Sequence, residues 1–172
     1  MKDHLNTQET KRLRIRPLNE NDVESWKIFL SNPDATEHIL IEEEITDDLA
    51  QNWIKKQLKR YNDSGYGLMA IENKETGEFI GQCGLLAQEV AGVKEVEIGY
   101  HMLPEHWGKG YATEAAGHFK EYAFANNICE SVIAMILPKN VGSQMVASRN
   151  GMNKEKTVMW RGMKAYVYRV NR

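Results

Sequence analysis

Residues 101–115 contain the part of the chain best suited to binding an anion. Gly108 and Gly110 stand on either side of Lys109, directly after a predicted strand and directly before a predicted helix. Glycine permits a tight turn and a close approach of the backbone to a ligand, and the first amides of a helix are unpaired donors at its positive end. The segment therefore predicts a phosphate-binding turn, with a pyrophosphate as the expected occupant.

Two other glycine-rich motifs match this segment less well. A P-loop needs the pattern G-x-x-x-x-G-K-[S/T], which the chain lacks. A dinucleotide fingerprint needs a third glycine and an acidic residue after the next strand. Thr113 stands where that glycine would be, and Glu130 precedes the apolar run at residues 131–137 instead of following it. A nicotinamide cofactor is therefore disfavoured.

Residues 107–112 (Trp-Gly-Lys-Gly-Tyr-Ala) resemble the acyl-CoA signature Q/R-x-x-G-x-G/A of the GNAT superfamily of N-acetyltransferases. Trp107 replaces the usual Gln or Arg. Together with the Glu-Ile-Gly-Tyr before it and the Thr-Glu-Ala after it, the segment is similar to the branch containing the ribosomal-protein N-terminal (serine/alanine) acetyltransferases. Further matching blocks lie at residues 10–18 and 138–152, so the resemblance spans nearly the whole chain.

The resemblance implies a mixed α/β (α+β) GNAT-like fold. Its central sheet of six to seven mostly antiparallel strands would be splayed at the cofactor site and flanked by about four helices. Residues 1–172 are expected to form a single N-acetyltransferase domain, with residues 1–9 as a flexible extension.

Hydrophobic periodicity locates the elements that must position the turn. A hairpin is predicted from residues 67–72 and 79–86, a third antiparallel strand at 93–103, a helix at about 110–125 and a parallel strand at 131–137. Capping residues at 19–22 and 46–48 start two earlier helices, the first ending near Asn32 and Pro33 and the second near residues 62–65. Residues 158–170 supply the closing strands.

The resemblance also implies acetyl-CoA as cosubstrate and no metal. Backbone amides of residues 107–113 would hold the pyrophosphate, with Lys109 adding a positive charge nearby. The pantetheine arm would pair like an additional strand with the end of the central strand. The expected cofactor-binding residues are Tyr100, Met102, Leu103, Trp107, Gly108, Lys109, Gly110, Tyr111, Ala112, Thr113, Asn140 and Ser143.

Glu97 is the first candidate for the group that deprotonates the attacking amine, directly or through water. It lies on the central strand shortly before the expected pantetheine contacts. Glu95 and His101 share its face of the strand if the alternation is unbroken, whereas a bulge would reassign the faces. The alternative for Glu97 is an exposed carboxylate of the sheet, and His101 is interpreted as structural or exposed.

Ser143 is the candidate for stabilising the departing thiolate. Many GNAT enzymes place a tyrosine seven residues after the equivalent of Asn140, but that position is Ala147 here. The N-terminal acetyltransferase branch also has a serine three residues after this Asn, thought to hydrogen-bond the sulfur or supply its proton. Alternatively, Ser143 only satisfies backbone groups at a helix start, and Asn140 contacts the cofactor, caps that helix, or does both.

The function implied is transfer of an acetyl group from acetyl-CoA to a primary amine by direct attack, with a protein N-terminal α-amine preferred as acceptor. The alternatives are a small-molecule amine (a polyamine or an antibiotic) and a catalytically inactive CoA-binding sensor. Residues 38–44 form a candidate acceptor loop whose acidity suits a cationic amine; a merely solvated loop is the competing interpretation. The enzyme is expected to be a monomer or a homodimer.

Composition excludes several other classes of protein. The formal net charge of −2 disfavours nucleic acid as a partner, and the basic run at residues 11–16 is interpreted as a solvated strand face. Cys83 and Cys129 have no metal-ligand spacing and are expected to be reduced thiols. No apolar run reaches the ~18 to 20 residues of a membrane span, and no signal-peptide core is present, so a cytoplasmic location is expected.

Overall fold

The structure, a computed structural model, describes residues 5–39, 46 and 48–172. Its strands are β1 (Gln8–Glu9), β2 (Leu13–Arg16), β3 (Gly67–Asn73), β4 (Phe79–Val90), β5 (Val93–Met102), β6 (Ser131–Ile136), β7 (Asn153–Trp160) and β8 (Met163–Asn171). Its α-helices are α1 (Val23–Leu30), α2 (Pro33–Thr36), α3 (Leu49–Asp63), α4 (Tyr111–Ala125) and α5 (Val141–Arg149). Short 3₁₀ helices at Glu20–Asp22 and Pro104–His106 precede α1 and α4.

The eight strands form one sheet in the order β1-β2-β3-β4-β5-β6-β8-β7. All neighbouring strands are antiparallel except β5 and β6, whose parallel ladder contains a single pair, Glu97 with Ile133. Beyond that pair the two strands separate toward their carboxyl ends. This separation opens the centre of the sheet beside the start of α4, as the sequence analysis predicts.

Helices cover both faces of the sheet. On one face, α4 packs Phe119 against sheet residues such as Met69 and Ile98. On the other face, α1 and α3 pack Trp26 and Ile54 against a second row of sheet residues that includes Leu68 and Leu86. Side chains alternate between the faces along each strand, so β5 presents successive residues to different helix layers.

The mixed α/β fold is confirmed, with one more strand and one more helix than expected in the described residues. The additional strand is β1: Gln8 and Glu9, assigned above to a flexible extension, pair with Ile15 and Arg14 of β2. The additional helix is the one-turn α2, since Asn32 caps it and Pro33 occupies its first turn. Proline is well tolerated there because it needs no hydrogen-bond donor, so the Asn-Pro pair starts a helix as well as following one.

Two further expectations concern the periphery of the fold. Residues 40–44 of the predicted acceptor loop lie outside the described residues. No helix among the described residues is long and apolar enough to cross a membrane.

Candidate active site

The turn between β5 and α4 (residues 103–110), called the anion turn below, has the backbone geometry of an anion site. Gly108 (φ 72°) and Gly110 (φ 79°) both adopt left-handed conformations, which side-chain-bearing residues rarely do. Gly110 occupies the N-cap of α4, and no side chain caps that helix. The first-turn amides of α4 are therefore free of a side-chain acceptor and lie at the positive end of a 15-residue helix.

Three side chains, those of Thr10, Arg12 and Glu114, form a hydrogen-bonded cluster that holds this turn and is called the bracket below. Arg12 donates from Nε to Glu114 Oε2 at 2.7 Å and from Nη1 to the Lys109 carbonyl at 2.9 Å. Thr10 Oγ1 donates to Glu114 Oε1 at 2.6 Å, and the Arg12 guanidinium stacks 4.6 Å from the centre of the Tyr111 ring. Burial alone would raise the pKa of Glu114, but the hydrogen bonds from Thr10 and Arg12 outweigh it and lower that pKa. Arg12 is thus a structural residue of the turn and not simply part of a solvated strand face.

Trp107 ties the other side of the turn to the end of β5. Its indole Nε1 donates to the carbonyl of Met102 at 2.8 Å. The Leu103 N–H donates to Ile80 O at 2.9 Å, and the Leu103 side chain is buried in the core. The Met102 carbonyl and the Leu103 N–H are therefore already hydrogen-bonded within the protein. For the predicted pairing with pantetheine, Tyr100 and the N–H of Met102 are better placed than Leu103.

A groove with a cavity volume of about 410 Å³ runs from this turn past the end of β5 to α5. It brings together ten of the twelve predicted cofactor-binding residues; the other two, Leu103 and Lys109, do not line it. The ten are Tyr100, Met102, Trp107, Gly108, Gly110, Tyr111, Ala112, Thr113, Asn140 and Ser143.

The start of α5 fixes Ser143 on the wall of this groove. The Asn140 side chain caps the helix by accepting a hydrogen bond from the Ser143 N–H at 3.0 Å. The Tyr100 hydroxyl donates to the Ser143 carbonyl at 2.8 Å. Both backbone groups of Ser143 are therefore engaged, and Asn140 has the capping role that the sequence analysis considered. Ala147, which replaces the usual tyrosine, is fully buried.

A second, smaller cavity of about 140 Å³ lies between α3, β5 and the turn that joins β7 to β8. Glu97 lines it, together with His101 and the aromatic residues Trp53 and Trp160. The two cavities share three lining residues, His38, Ile39 and His101. A ligand in one cavity can therefore meet a ligand in the other beside the end of β5.

Glu97 is buried and accepts a hydrogen bond from Gln88 Nε2 at 2.7 Å. Burial raises the pKa of Glu97, and the Gln88 bond and the nearby positive charges of Arg60 and Arg161 reduce that rise without cancelling it. A carboxylate with a raised pKa accepts protons more readily than an exposed one. The exposed-carboxylate alternative for Glu97 is therefore wrong.

Glu95 lies two residues away on β5 but has a different environment. Arg169 of β8 binds it with two hydrogen bonds, Nη1 to Oε2 at 3.0 Å and Nη2 to Oε1 at 2.6 Å. The Arg169 hydrogen bonds lower the pKa of Glu95. This paired carboxylate is poorly suited to accepting a proton.

His101 lies at the junction of the two cavities among aromatic rings. Its ring centre is 6.3, 6.0 and 5.8 Å from those of Trp26, Phe29 and Trp53. Burial lowers the pKa of His101 to about 4, so the imidazole is neutral near pH 7. The β4–β5 ladder is continuous through this region, and Glu97 and His101 line the same cavity, so the alternation along β5 is unbroken.

A family model described as Acetyltransferase (GNAT) domain matches residues 12–153. The chain belongs to this family. It is 34% identical over 154 residues to the uncharacterized protein YkkB of Bacillus subtilis (strain 168), covering 87% of this chain and 86% of the relative. Like the named members of the family, it is an acetyltransferase.

Two solved structures extend this result. The crystal structure of the acetyltransferase from Agrobacterium tumefaciens str. C58 matches with a TM-score of 0.82 and 27% identity, covering 97% of this chain and 95% of that one. RimL, a ribosomal L7/L12 alpha-N-protein acetyltransferase in complex with coenzyme A, matches with a TM-score of 0.79 over 96% and 98% of the two chains. At 15% identity, the likeness to RimL shows the shared GNAT fold alone.

His38 and Ile39, the described part of the predicted acceptor loop, line both cavities. Two other residues of the groove were not predicted from the sequence: Phe29 closes it from the helical layer, and Arg149 lines it from the end of α5. Only the apolar periodicity of α1 signalled that its buried face would lie near β5. No local pattern identifies Arg149, since a basic residue near a helix C-terminus is common.

One group of side chains has the composition of a metal site. Ligand atoms of Glu78, Glu105 and His106 lie within 4.8 Å of one another behind the anion turn. The buried His106 Nε2 is 3.6 Å from Glu78 Oε1, and both carboxylates are exposed. His106 Nε2 also lies 3.8 Å from Glu105 Oε1, and the expectation that the enzyme needs no metal stays a prediction.

Proposed function

We propose that this GNAT enzyme transfers the acetyl group of acetyl-CoA to a protein N-terminal α-amine by direct attack of the amine. The observation that carries the proposal is the meeting of two cavities at His101. One cavity contains the anion turn and Ser143, and the other contains a buried carboxylate, Glu97. RimL, with which the chain shares the fold, is named as an alpha-N-protein acetyltransferase, and this makes a protein N-terminus the first acceptor to test.

The cofactor groove is suited to a long ligand with a diphosphate at one end. Uncapped amides of α4 and the left-handed glycines provide the diphosphate site, and residues at the end of β5 provide the remaining wall. Acetyl-CoA would supply an activated acetyl thioester. The chain's residues orient the thioester, exclude water and accept the proton that the amine loses.

Glu97 acts as the proton acceptor for the amine, directly or through a water molecule. An α-amine has an ordinary pKa near ~8, against about 10.4 for a lysine side chain, so it needs less assistance to become neutral. The raised pKa of Glu97 brings the base closer to the pKa of such an amine. This match favours an N-terminal amine over a lysine or a polyamine.

Ser143 provides a hydroxyl on the opposite side of the junction. The Asn140 cap and the Tyr100 bond hold its backbone, so the hydroxyl has a defined position on the groove wall. A serine hydroxyl is a weak acid, and stabilising the departing thiolate by a hydrogen bond is therefore its role.

The expected location is the cytoplasm, and the expected assembly is a monomer or a homodimer.

The test is steady-state release of CoA from acetyl-CoA with N-terminal peptides, polyamines and aminoglycosides. Wild type should turn over with at least one peptide, and Ser143→Ala should lose about tenfold to a hundredfold in kcat, the value of a hydrogen bond to a charged group. CoA affinity should survive. Ser148→Ala, a serine of the same helix outside the groove, is the matched control and should behave as wild type.

Two outcomes would contradict the proposal. Turnover confined to polyamines or aminoglycosides would identify a small-molecule acetyltransferase. Tight binding of acetyl-CoA with no amine-dependent release would indicate a CoA-binding sensor, an alternative that the absent tyrosine at Ala147 keeps open.

A further inference from the structure

The smaller cavity of about 140 Å³, which Glu97 lines, is called the acceptor cavity below, and its charge is unevenly distributed. Three basic side chains line it: Lys56 and Arg60, one turn apart on α3, and Arg161, on the turn between β7 and β8 across the cavity. Glu97 is the only carboxylate among the described residues of the lining. Positive charge therefore surrounds the described part of a cavity in which an amine must bind.

Arg60 differs from the other partly buried arginines of the chain. Arg16 and Arg169 each form close ion pairs with carboxylates. Arg60 instead donates from Nη1 to the neutral amide of Gln57, Oε1, at 3.3 Å, and forms no ion pair with any described residue.

Gln57 is a weak partner for this guanidinium because it is already engaged. Its Oε1 accepts a hydrogen bond from the backbone N–H of Leu68 at 3.0 Å. Burial lowers the pKa of Arg60, the charge of Glu97 raises it, and the like charge of Arg161 lowers it further. Two guanidinium groups at one cavity repel each other, and an anion between them would relieve this repulsion.

The chemistry of these groups defines the ligand they would bind. A guanidinium matches a carboxylate with two parallel hydrogen bonds, and the more exposed Lys56 adds a flexible positive charge. The side walls, Trp53 and Trp160, offer flat apolar surfaces to the atoms between the two polar ends of a ligand. A polyamine, by contrast, would bring a second cation against Arg60.

From this arrangement we infer that the acceptor carries an anionic group, a carboxylate, close to its reacting amine, and that Arg60 binds it with help from Lys56 and Arg161. The inference rests on the proposed function, and it names the acceptor class. The shared chemistry has two sources: an acidic side chain near the N-terminus of a peptide, or the carboxylate of a small amino acid. The acidity of residues 42–44, which lie outside the described residues, suggested a cationic acceptor, so this inference reverses that expectation.

The experiment compares matched acceptors on one enzyme. The peptides Ser-Glu-Ala-Ala and Ser-Gln-Ala-Ala differ only in one charge, Ser-Lys-Ala-Ala reverses it, and free glutamate and spermidine represent small acceptors. Wild type should prefer the acidic peptide to the neutral one by about tenfold in kcat/KM, the value of one charge-assisted hydrogen bond. If free glutamate exceeds the acidic peptide, the acceptor is a small amino acid.

Arg60→Gln should bring the ratio of kcat/KM for the acidic peptide to kcat/KM for the neutral peptide close to one. Lys56→Gln should reduce this ratio less. Lys59→Gln is the matched control, because Lys59 also lies on α3 but pairs with Asp63 outside the cavity. Its ratio should equal that of wild type. Equal kcat/KM values for the acidic and the neutral peptide in wild type would overturn the inference. So would a ratio of these values that Arg60→Gln leaves unchanged.

A binding measurement separates failure of this inference from failure of the proposed function. Peptide affinity is measured by calorimetry on the enzyme saturated with CoA, which needs no turnover. Arg60-dependent binding of the acidic peptide without turnover would contradict the proposed function and support the anion site. Turnover of neutral or basic peptides without a charge preference would do the opposite.

Discussion

The cofactor groove and the acceptor cavity are built in different ways. The proposed diphosphate site at one end of the groove consists mainly of backbone, namely two left-handed glycines and the uncapped amides of α4, contributed by a few consecutive residues. The acceptor cavity consists of side chains from α3, β5 and the β7–β8 turn, which are far apart in sequence. The diphosphate site therefore tolerates many side chains, whereas single substitutions can retune the acceptor cavity.

Glu95 and Glu97 show the same difference at the scale of one strand. Both point to the same face of β5, yet Arg169 pairs with one and Gln88 with the other. The first partner is a cation and lowers the pKa of its carboxyl group, and the second is neutral and leaves burial to raise it. Residues of two other strands, Arg169 of β8 and Gln88 of β4, therefore decide which carboxylate of β5 can act as a base.

The largest effect should come from replacing that base. Glu97→Gln keeps the size of the side chain and can still accept a hydrogen bond from Gln88, but it cannot take a proton. We expect kcat to fall by about 10² to 10⁴, the usual contribution of a general base. In wild type the rate should rise with pH as Glu97 ionises, and this step should be absent from the variant's pH profile.

Glu89→Gln, an exposed carboxylate of β4, is the control for Glu97→Gln. Unchanged kcat in Glu97→Gln would transfer the role of base to another group. His101, neutral at the junction of the two cavities, would then be the next residue to replace.

The cofactor half should respond to a change in backbone conformation. Gly110→Ala places a side chain at φ 79°, where the strain costs about 1 to 2 kcal/mol. The new Cβ would also lie 3.4 Å from Arg12 Nη2. We expect the affinity for CoA, measured by calorimetry, to fall by about tenfold, with a smaller loss of kcat at saturating acetyl-CoA.

Gly77→Ala separates strain from function. Gly77 has a similar φ of 74°, with open space around its missing Cβ, and lies in the β3–β4 turn without lining the groove. Its substitution should cost similar stability without altering CoA affinity. Equal affinity losses in the two variants would mean that only general destabilisation is being measured.

These two halves also differ in how far the sequence predicts them. Gly108, Gly110, Asn140 and Ser143 belong to short local patterns, and helix and strand periodicity placed the elements around them. The eight-stranded sheet was largely predictable for the same reason. Local patterns could not predict α2, because Asn32 and Pro33 suit the end of one helix and the start of another.

Long-range pairing accounts for most of what the sequence did not predict. Arg12 and Glu114 are separated by 102 positions along the chain, so their contact behind the turn follows only from the sheet order. The charge around Arg60 depends likewise on Arg161, which reaches the cavity from a distant hairpin. The acceptor class therefore needed the three-dimensional arrangement.

Replacing Glu97 should also stabilise the fold. Its pKa is higher in the folded chain than the ordinary value of about 4.3, so the folded state holds this proton more tightly than the unfolded state does. The free energy of unfolding must then fall as pH rises from the unfolded pKa to the folded pKa, so at pH 7, above the unfolded pKa, the burial of Glu97 is a net cost. We expect Glu97→Gln to have a higher Tm than wild type at pH 7 and a smaller difference at pH 4.

A lower Tm in Glu97→Gln at pH 7 would contradict this reasoning. It would show that the negative charge of Glu97, held by Gln88 and attracted by Arg60 and Arg161, stabilises the fold more than its burial destabilises it. A loss of kcat in the variant would then partly reflect damage to the fold. Glu89→Gln again serves as the control, since its exposed side chain should change Tm little at either pH.

The smallest effect should come from the bracket behind the anion turn. The Arg12–Glu114 pair is partly exposed, and such pairs contribute at most about 1 kcal/mol. Arg12→Gln should therefore weaken CoA binding by about twofold to fivefold, because Lys109 loses a hydrogen bond and the turn is held less firmly. Arg14→Gln is the matched control: Arg14 lies two residues further on, in β2, and pairs with Glu9 at 3.7 Å, away from the turn. If both variants bind CoA as wild type does, the glycines and α4 alone position the turn, and the cofactor half is still more local than the comparison implies. If Arg12→Gln instead matches Gly110→Ala, the turn depends on a side chain 98 positions away from Gly110, and the contrast with the acceptor half becomes one of degree.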